Sequence, residues 1–276
     1  MTIHIQTGQL PDYGKINAKL NKSWTSADYS QIGIRLQIVG ELLAERADFR
    51  PGSSVLDVAA GNGNATLAFA KRWCDVLSTD YVDRFLDHGR IRAKAEGLDV
   101  AFQVADAQNL PFADASFDGV VSTFGVMFAP DQPKAASELV RVCKPGGTIA
   151  LANWTPASFI GRLCPTIGRH MSAPSSFKAP ANWGKPEFIE EHFGPAASSI
   201  DIAMRTYTFR FPSPEFYLDF FREHYGLTKR AFQVVGAEGE AALSADILDV
   251  IDQMNVATDG TMSVSSQYAQ VIIKKA

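Results

Sequence analysis

The chain of 276 residues has little cysteine, no block of like charge and no long apolar run, and each shortage excludes a class of protein. Cys74, Cys143 and Cys164 form no C-x-x-C pair and have no histidine at zinc-ligand spacing. Neither a disulfide framework nor a metal site is therefore expected, and the reducing cytoplasm is the compartment that fits. The 26 Lys and Arg residues stand against 30 Asp and Glu residues, for a net charge of -4. No basic stretch gathers, so nucleic acid is not an expected partner. No segment approaches the roughly 20 apolar residues of a membrane span, and the opening MTIHIQTGQLPDYGK lacks the basic start and apolar stretch of an export signal. What the chain does have is 46% hydrophobic residues, enough for one large core that would handle small molecules.

The chain is organised around VLDVAAGNGNATLAFAKR, Val55 to Arg72. Val55 to Val58 reads as a buried parallel strand, Ala59 to Gly63 as a small-residue turn that lets backbone approach a ligand, and Asn64 to Arg72 as a helix. The amides at that helix start would favour an anionic group. Before it, Ile32, Leu36, Val39 and Leu43 fall on one face of a helix spanning Ala27 to Asp48, which Arg50-Pro51-Gly52 ends. Residues 1 to about 26 read as a draped N-terminus with a short helix at Ile16 to Trp24.

Beyond the turn the pattern repeats. Strands at Asp75–Thr79, Val100–Val104, Gly119–Thr123 and Thr148–Asn153 alternate with helices at Val82–Glu96 and, opened by Asp131-Gln132-Pro133, up to Cys143. Lys144-Pro145-Gly146-Gly147 reads as a sharp turn into the fifth strand. This alternation predicts an α/β fold with a doubly wound parallel sheet. After Trp154 it breaks: a Pro-, Ser- and Gly-rich stretch, helices near Phe159–His170 and Pro186–Phe193, and a strand at Ile200–Phe211 follow. Helices from Ser213 to Tyr225, about 228 to 236 and about 238 to 255 then precede a last strand at Tyr268–Lys274. Three segments result: 1–49, N-terminal helices that could act as a lid; 50–155, the binding core; and 156–276, completion of the sheet with an inserted helical substrate cap.

Which ligand the crevice takes is narrowed by elimination. A dinucleotide fingerprint would place a third glycine where Thr66 stands, and no Walker lysine follows the turn. Three acidic strand ends remain: Asp57, Asp80 and Asp106. Asp80 lies where a ribose-binding carboxylate is expected. Such a site suits ribose hydroxyls, an adenine amine and a cationic centre.

VLDVAAGNGNATLA, STDYVDRFL, VADAQNLPFADASFDGVVSTFGVMFAPD and ELVRVCKPGGTIALANW, in this order, resemble the class I S-adenosylmethionine-dependent methyltransferases. The likeness is closest to the small-molecule branch that includes the ubiquinone/menaquinone C-methyltransferases (methyltransferase type 11). The resemblance implies a Rossmann-like sheet of seven strands, the last antiparallel. It also implies S-adenosylmethionine as cofactor and S-adenosylhomocysteine as product. Carried over, Ala59, Gly61 and Gly63 would line the methionine moiety, with Ala59 standing where the family usually has glycine. Asp80 would accept both ribose hydroxyls, and Tyr81 would pack on the adenine. Asp106 with Ala107 would meet the adenine amine, and Thr123 and Phe124 would face the amino group and the sulfonium.

The implied activity is methyl transfer to an oxygen, nitrogen or carbon nucleophile of a small, partly apolar metabolite, by a monomer or homodimer. No residue stands out as catalytic: His170, His192 and His224 lie in the cap where a general base would sit, but a lone histidine is more often a packing residue. The aromatic stripe Phe216, Tyr217, Phe220, Phe221 and His224 reads first as cap packing, with one face left to substrate. Trp24 and Tyr29 are either a lid over the cofactor or an anchor for the first helix. Two rival functions stay open at this point. One is an S-adenosylmethionine-binding protein without methyl transfer, which would bind cofactor and yield no methylated product. The other is an NAD-dependent oxidoreductase, which would bind NAD instead.

Overall fold

β-branched and apolar runs flanked by glycine or aspartate become the strands, and the 3.6-periodic stretches between them become the covering helices. A computed structural model describes residues 12–171 and 178–276. Its strands are β1 (Ser54–Val58), β2 (Asp75–Asp80), β3 (Ala101–Val104), β4 (Phe117–Thr123), β5 (Cys143–Trp154), β6 (Ala197–Phe211) and β7 (Met262–Lys275). They form one sheet in the order β3-β2-β1-β4-β5-β7-β6. β1 to β5 pair in parallel, and β7 runs antiparallel to both β5 and β6. This is the doubly wound α/β sheet with an antiparallel last strand. The chain order reverses direction between β1 and β4, the switch point where open α/β sheets bind ligands.

The helices are α1 (Tyr13–Thr25), α2 (Ser30–Gly33), α3 (Gln37–Ala47), α4 (Asn64–Ala70), α5 (Asp83–Ala95), α6 (Gln132–Val142), α7 (Phe159–Arg169), α8 (Pro186–Phe193), α9 (Pro214–His224) and α10 (Gly226–Asp252). Local chemistry fixes several of their starts. Asp12, Asp131, Ser158 and Ser213 each accept a backbone N–H with the side chain at the head of α1, α6, α7 and α9. Strand residues such as Leu56, Val120 and Leu151 are fully buried in the main core; each contributes about 1.5–3 kcal/mol by leaving water. α3 lies close against α4 because Gly40 has no side chain: a Cβ there would stand 2.6 Å from the Asn64 carbonyl oxygen.

Several expected elements differ in detail. The helix expected over Ala27 to Asp48 is interrupted: a 3-10 turn at Ile34–Leu36 separates α2 from α3. The break leaves Ile32, Leu36, Val39 and Leu43 all buried, so the apolar face survives it. α3 ends at Asp48 in the left-handed conformation, two residues before Arg50. The KPGG segment is a bulge within β5 and not a turn before it. Cys143 pairs with Phe117 and Thr148 with Gly119, so the segment opposes Asp118 alone, with Gly146 at φ 71°. Asp118 anchors it, accepting from Lys144 Nζ at 2.7 Å and from Ser54 N at 2.9 Å. β7 begins six residues earlier than Tyr268; its first half alternates buried Met262, Val264 and Ser266 with outward serines and a glutamine. α10 breaks at Gly236, φ 61° and ψ -169°, which divides it where two helices were expected. Residues 1–11 of the expected draped terminus, and 172–177 of the Pro-, Ser- and Gly-rich stretch, lie outside the described residues.

Candidate functional site

The turn after β1 is shaped by backbone conformations that side chains resist. Ala59 sits at φ 53°, Gly61 at 57° and Gly63 at 85°, all in the left-handed region. Glycine takes this region freely, whereas alanine bears strain of about 1–2 kcal/mol there. Neighbouring elements hold the turn in place. Ala60 N donates to Thr79 O at 2.9 Å, Arg92 of α5 donates to Asn62 O and Asn64 Oδ1, both at 2.8 Å, and Asn64 Nδ2 donates to Gly33 O at 2.7 Å. Phe124, which follows β4, is a second strained residue at φ 54°. The next residue is Gly125 because a Cβ there would overlap the carbonyl oxygen of Ala59. Two strained turns thus meet at the carboxyl ends of adjacent strands, where strain accompanies function.

Over these strand ends lies a cleft of about 1200 Å³, counted out to its open mouth. One half is polar and made by the ends of β1, β2, β3 and β4. Ala59, Gly61, Asp80, Tyr81, Asp106, Ala107, Thr123 and Phe124 all line it, so the structure gathers eight of the nine predicted residues at one site. Gly63 is the exception. It does not line the cleft but supplies the left-handed start of α4.

Asp57 also departs from its expected place. It is fully buried, and its Oδ2 accepts from Thr66 N at 2.8 Å and Thr66 Oγ1 at 2.6 Å, while Thr66 Oγ1 lies 2.8 Å from Ser78 Oγ. A carboxylate from β1 therefore accepts from the Thr66 amide in the first turn of α4, while Asn64 at the start of that helix lines the cleft. Thr66, which stands where a dinucleotide fingerprint has its third glycine, is the partner in this network.

Asp80 is 4% exposed; its Oδ2 accepts from Gly61 N at 2.9 Å and its Oδ1 from Val82 N at 2.8 Å. Burial raises its carboxyl to about 6, against those backbone donors, and burial raises Asp57 to about 7 against its bonds from Thr66. Asp106 lies at the far end and accepts from Asn17 Nδ2 of α1 at 2.5 Å and from Gln108 N at 2.9 Å. Asn21 of α1 donates to Tyr81 O at 2.9 Å. α1 is thereby tied across the polar half. Trp24 packs edge-on against Tyr29, Phe128 and Tyr225, and both Trp24 and Tyr29 line the cleft, so anchoring and covering are one arrangement.

The other half is apolar. Trp154, at the end of β5, stacks on Phe124 with centroids 3.8 Å apart and planes 2° from parallel. Leu163, Cys164, Phe209, Phe221 and Tyr225 continue the wall. Among the described residues no histidine lines it. His170 pairs with Asp246 at 2.8 Å, His192 packs on Phe188 and His224 on Phe220, so the cap histidines considered as bases are packing and surface residues. The ionisable groups on this side are Cys164, pushed up to about 12 by burial, and Tyr225, raised well above its ordinary value by burial. Neither is a base at neutral pH. Of the aromatic stripe, Tyr217 is core, Phe221 lines the cleft, and Phe216 is exposed.

Sequence reasoning missed Asn17, Gln108, Trp154 and Phe209, and placed Asn62 in the ligand-facing turn without giving its side chain a role. Only Trp154 carried a signal, since it ends the strand next to the one that ends in Thr123. The donor set suits S-adenosylmethionine. A buried carboxylate borders the cleft, and the amide nitrogen of Asn62, also on the cleft wall and 2% exposed, has no hydrogen-bond partner.

A methyltransferase-domain family model matches residues 56–151. An uncharacterized protein of Mycobacterium tuberculosis is 38% identical over 242 residues, covering 87% of this chain and 88% of that protein. The demethylmenaquinone methyltransferase of Renibacterium salmoninarum is 39% identical over 138 residues, 46% of this chain and 56% of that enzyme. Among solved structures, the YcgJ protein from Bacillus subtilis superposes with a TM-score of 0.59 at 20% identity, over 85% of this chain and 97% of that one, a likeness of fold. The matched segment holds the strained turn, Asp80, Asp106 and Phe124. The chain belongs to the class I S-adenosylmethionine-dependent methyltransferases.

Proposed function

We propose that the protein transfers a methyl group to an oxygen, nitrogen or carbon nucleophile of a small, partly apolar metabolite, in the cytoplasm, as a monomer or homodimer. The observation that carries this reading is the division of one cleft into a polar half at the strand ends and an apolar half beside it that no histidine lines among the described residues. In this reading residues 50–155 are the cofactor-binding core, the described residues 12–49 ahead of them cover it, and the segment from 156 on completes the sheet and caps the acceptor. Among the described residues no helix is long and apolar enough to cross a membrane.

The cofactor supplies a methyl group already activated on a sulfonium. In the polar half, Ala59 and Gly61 bring backbone to the methionine moiety, and Gly63 keeps the turn in shape behind it. Asp80, ionised, accepts the ribose hydroxyls; Tyr81 packs on the adenine, and Asp106 with Ala107 meets its amine. Thr123 and Phe124 border the amino group and the sulfonium. Trp154, stacked on Phe124, carries the aromatic surface on toward the acceptor. With Cys164 and Tyr225 protonated at neutral pH, the protein positions the acceptor and excludes water instead of taking its proton. The acceptor therefore brings its own nucleophile, as an enolate, a phenolate or a free amine.

Methyl-labelled S-adenosylmethionine, mixed with the protein and a fractionated metabolite extract, tests this. Label is expected in a small, organic-extractable product. Label found only in protein or nucleic acid, or none despite cofactor binding, would overturn it.

A further inference from the structure

The apolar half of the cleft is ringed by aromatic side chains that touch one another in turn. From Trp154, stacked on Phe124, the ring centroids step 5.9 Å to Phe209, 6.3 Å to Phe221 and 5.7 Å to Tyr225. They continue 5.2 Å to Trp24 of α1 and 5.3 Å to Phe128. All of these residues line the cleft. The 3-10 turn Val126–Phe128 leads back along the chain toward Phe124, so the belt closes on itself through the backbone. A belt serving the sulfonium alone would need only its Phe124 end. Phe209, Phe221 and Tyr225 come from the segment assigned to the acceptor.

The charge of the cleft has one sign. Among the described residues no lysine, arginine or histidine lines it, and its acidic residues are Asp80 and Asp106. An enolate or a phenolate would enter with no cationic side chain beside it, and a buried charge without a partner is costly. An aromatic ring presents a negative face that attracts a cation, and the attraction grows once water has left. Cys164 and Tyr225 keep their protons at neutral pH because burial raises both. A nucleophile that must shed a proton therefore finds no side chain here to take it.

We propose that the methyl acceptor is a tertiary amine and that the aromatic belt holds the quaternary ammonium it becomes. The inference rests on the methyl-transfer reading and narrows the nucleophiles which that reading admits to one. The lone pair of the amine nitrogen forms the new bond to the methyl carbon, while the carbon–sulfur bond breaks and leaves its electron pair on sulfur. The positive charge moves from sulfur to nitrogen, and no proton has to leave. This matches a site with aromatic walls and no base: the charge stays within one enclosure throughout.

The test titrates three probes into protein saturated with S-adenosylhomocysteine: 4-hydroxyphenyltrimethylammonium, 4-tert-butylphenol and 4-hydroxybenzenesulfonate. They differ in the tetrahedral group opposite the hydroxyl, which is cationic, neutral or anionic. The cation is expected to bind about tenfold or more tighter than the neutral phenol, as a desolvated aromatic site allows, and the anion most weakly. In Tyr225→Leu the advantage of the cation should fall by about threefold, with the affinity of the neutral phenol unchanged. Tyr225→Phe keeps the ring and should keep the advantage. Phe221→Leu makes the same comparison at a second ring, should Tyr225→Leu not fold. Equal affinity for the cation and the neutral phenol overturns the proposal, as does tighter binding of the anion or an advantage undiminished in both leucine variants. The purified labelled product gives a second readout. At about pH 12, where ordinary amines are neutral, it should enter organic solvent only as an ion pair with added tetraphenylborate. Label that enters unaided at that pH overturns the proposal too. If S-adenosylhomocysteine itself does not bind, the methyl-donor reading fails as well. If it binds and the probes show no charge preference, only the amine assignment fails.

Discussion

The two halves of the cleft are built by different means. The donor half comes from strand ends spaced along about 70 residues of chain, Ala59 to Phe124, and its geometry is set by backbone: left-handed turns, a carboxylate clamped by two amides, a glycine where any side chain would collide. The apolar half, to which we assign the acceptor, is assembled from α2, α7, α9 and the far end of β6, and its geometry is set by side-chain packing among aromatic and aliphatic groups. A site that must hold one invariant ligand can be fixed in the backbone. A site that reads an acceptor is made of parts that can be exchanged without moving the sheet.

Substitutions can break that division or sharpen it. The largest effect is expected at Trp154, which is 3% exposed and joins the halves through its stack on Phe124. Trp154→Ala should cost about 3–5 kcal/mol of stability, lowering the Tm by about 10 °C in a thermal melt. It should weaken both cofactor and acceptor binding; a variant that melts like the wild type would show that the halves are not coupled there. Phe221→Leu tests the acceptor half alone. KM for the acceptor found by labelling should rise about fivefold, with S-adenosylhomocysteine affinity unchanged in calorimetry. A parallel loss of cofactor affinity would mean the halves are not separable. The smallest effect belongs to the donor half. Ala59→Gly relieves the strain at φ 53° against the extra chain entropy of glycine, a net gain of about 0.5 kcal/mol and a Tm higher by about 1–2 °C. A lower Tm would show that the alanine methyl contributes packing that outweighs its strain.

The same contrast explains what the sequence revealed. β1, its turn and the acidic ends of β2 and β3 were legible because strand, glycine and carboxylate follow one another locally, and each has few other uses in that order. The alternation also disclosed the parallel sheet, while its antiparallel last strand came from the family resemblance. Asn17 was not legible: it reaches Asp106 across 89 residues, and nothing around it in α1 marks it. Asp57 was legible as an acidic strand end but not in its role, because pairing with Thr66 depends on how α4 lies over β1. Phe209 could be read as apolar but not as facing a ligand, and the stripe holding Phe221 could be read as leaving one face to substrate but not which residue that face presents, since core and cavity wall share the same residue types. KPGG showed where β5 begins its ascent, but whether it is a turn or a bulge is decided by its pairing with β4.

The central claim is that Asp80 holds the ribose of the cofactor, and its titration gives the most direct test. In the free protein, burial raises this carboxyl to about 6, above its ordinary 3.8. The folded state then holds its proton more firmly than the unfolded chain does. The stability this adds is fully present below about pH 3.8 and is lost as pH rises through about 6. Ribose hydroxyls donate to the ionised form, so cofactor binding has the opposite slope and strengthens as the group loses its proton. Calorimetry with S-adenosylhomocysteine between about pH 5 and pH 7.5 should therefore show affinity falling by close to tenfold per unit below about pH 6. Asp80→Asn should abolish that slope and weaken binding at neutral pH by about 1–3 kcal/mol. Unchanged affinity in the variant, with the pH dependence intact, would contradict the assignment.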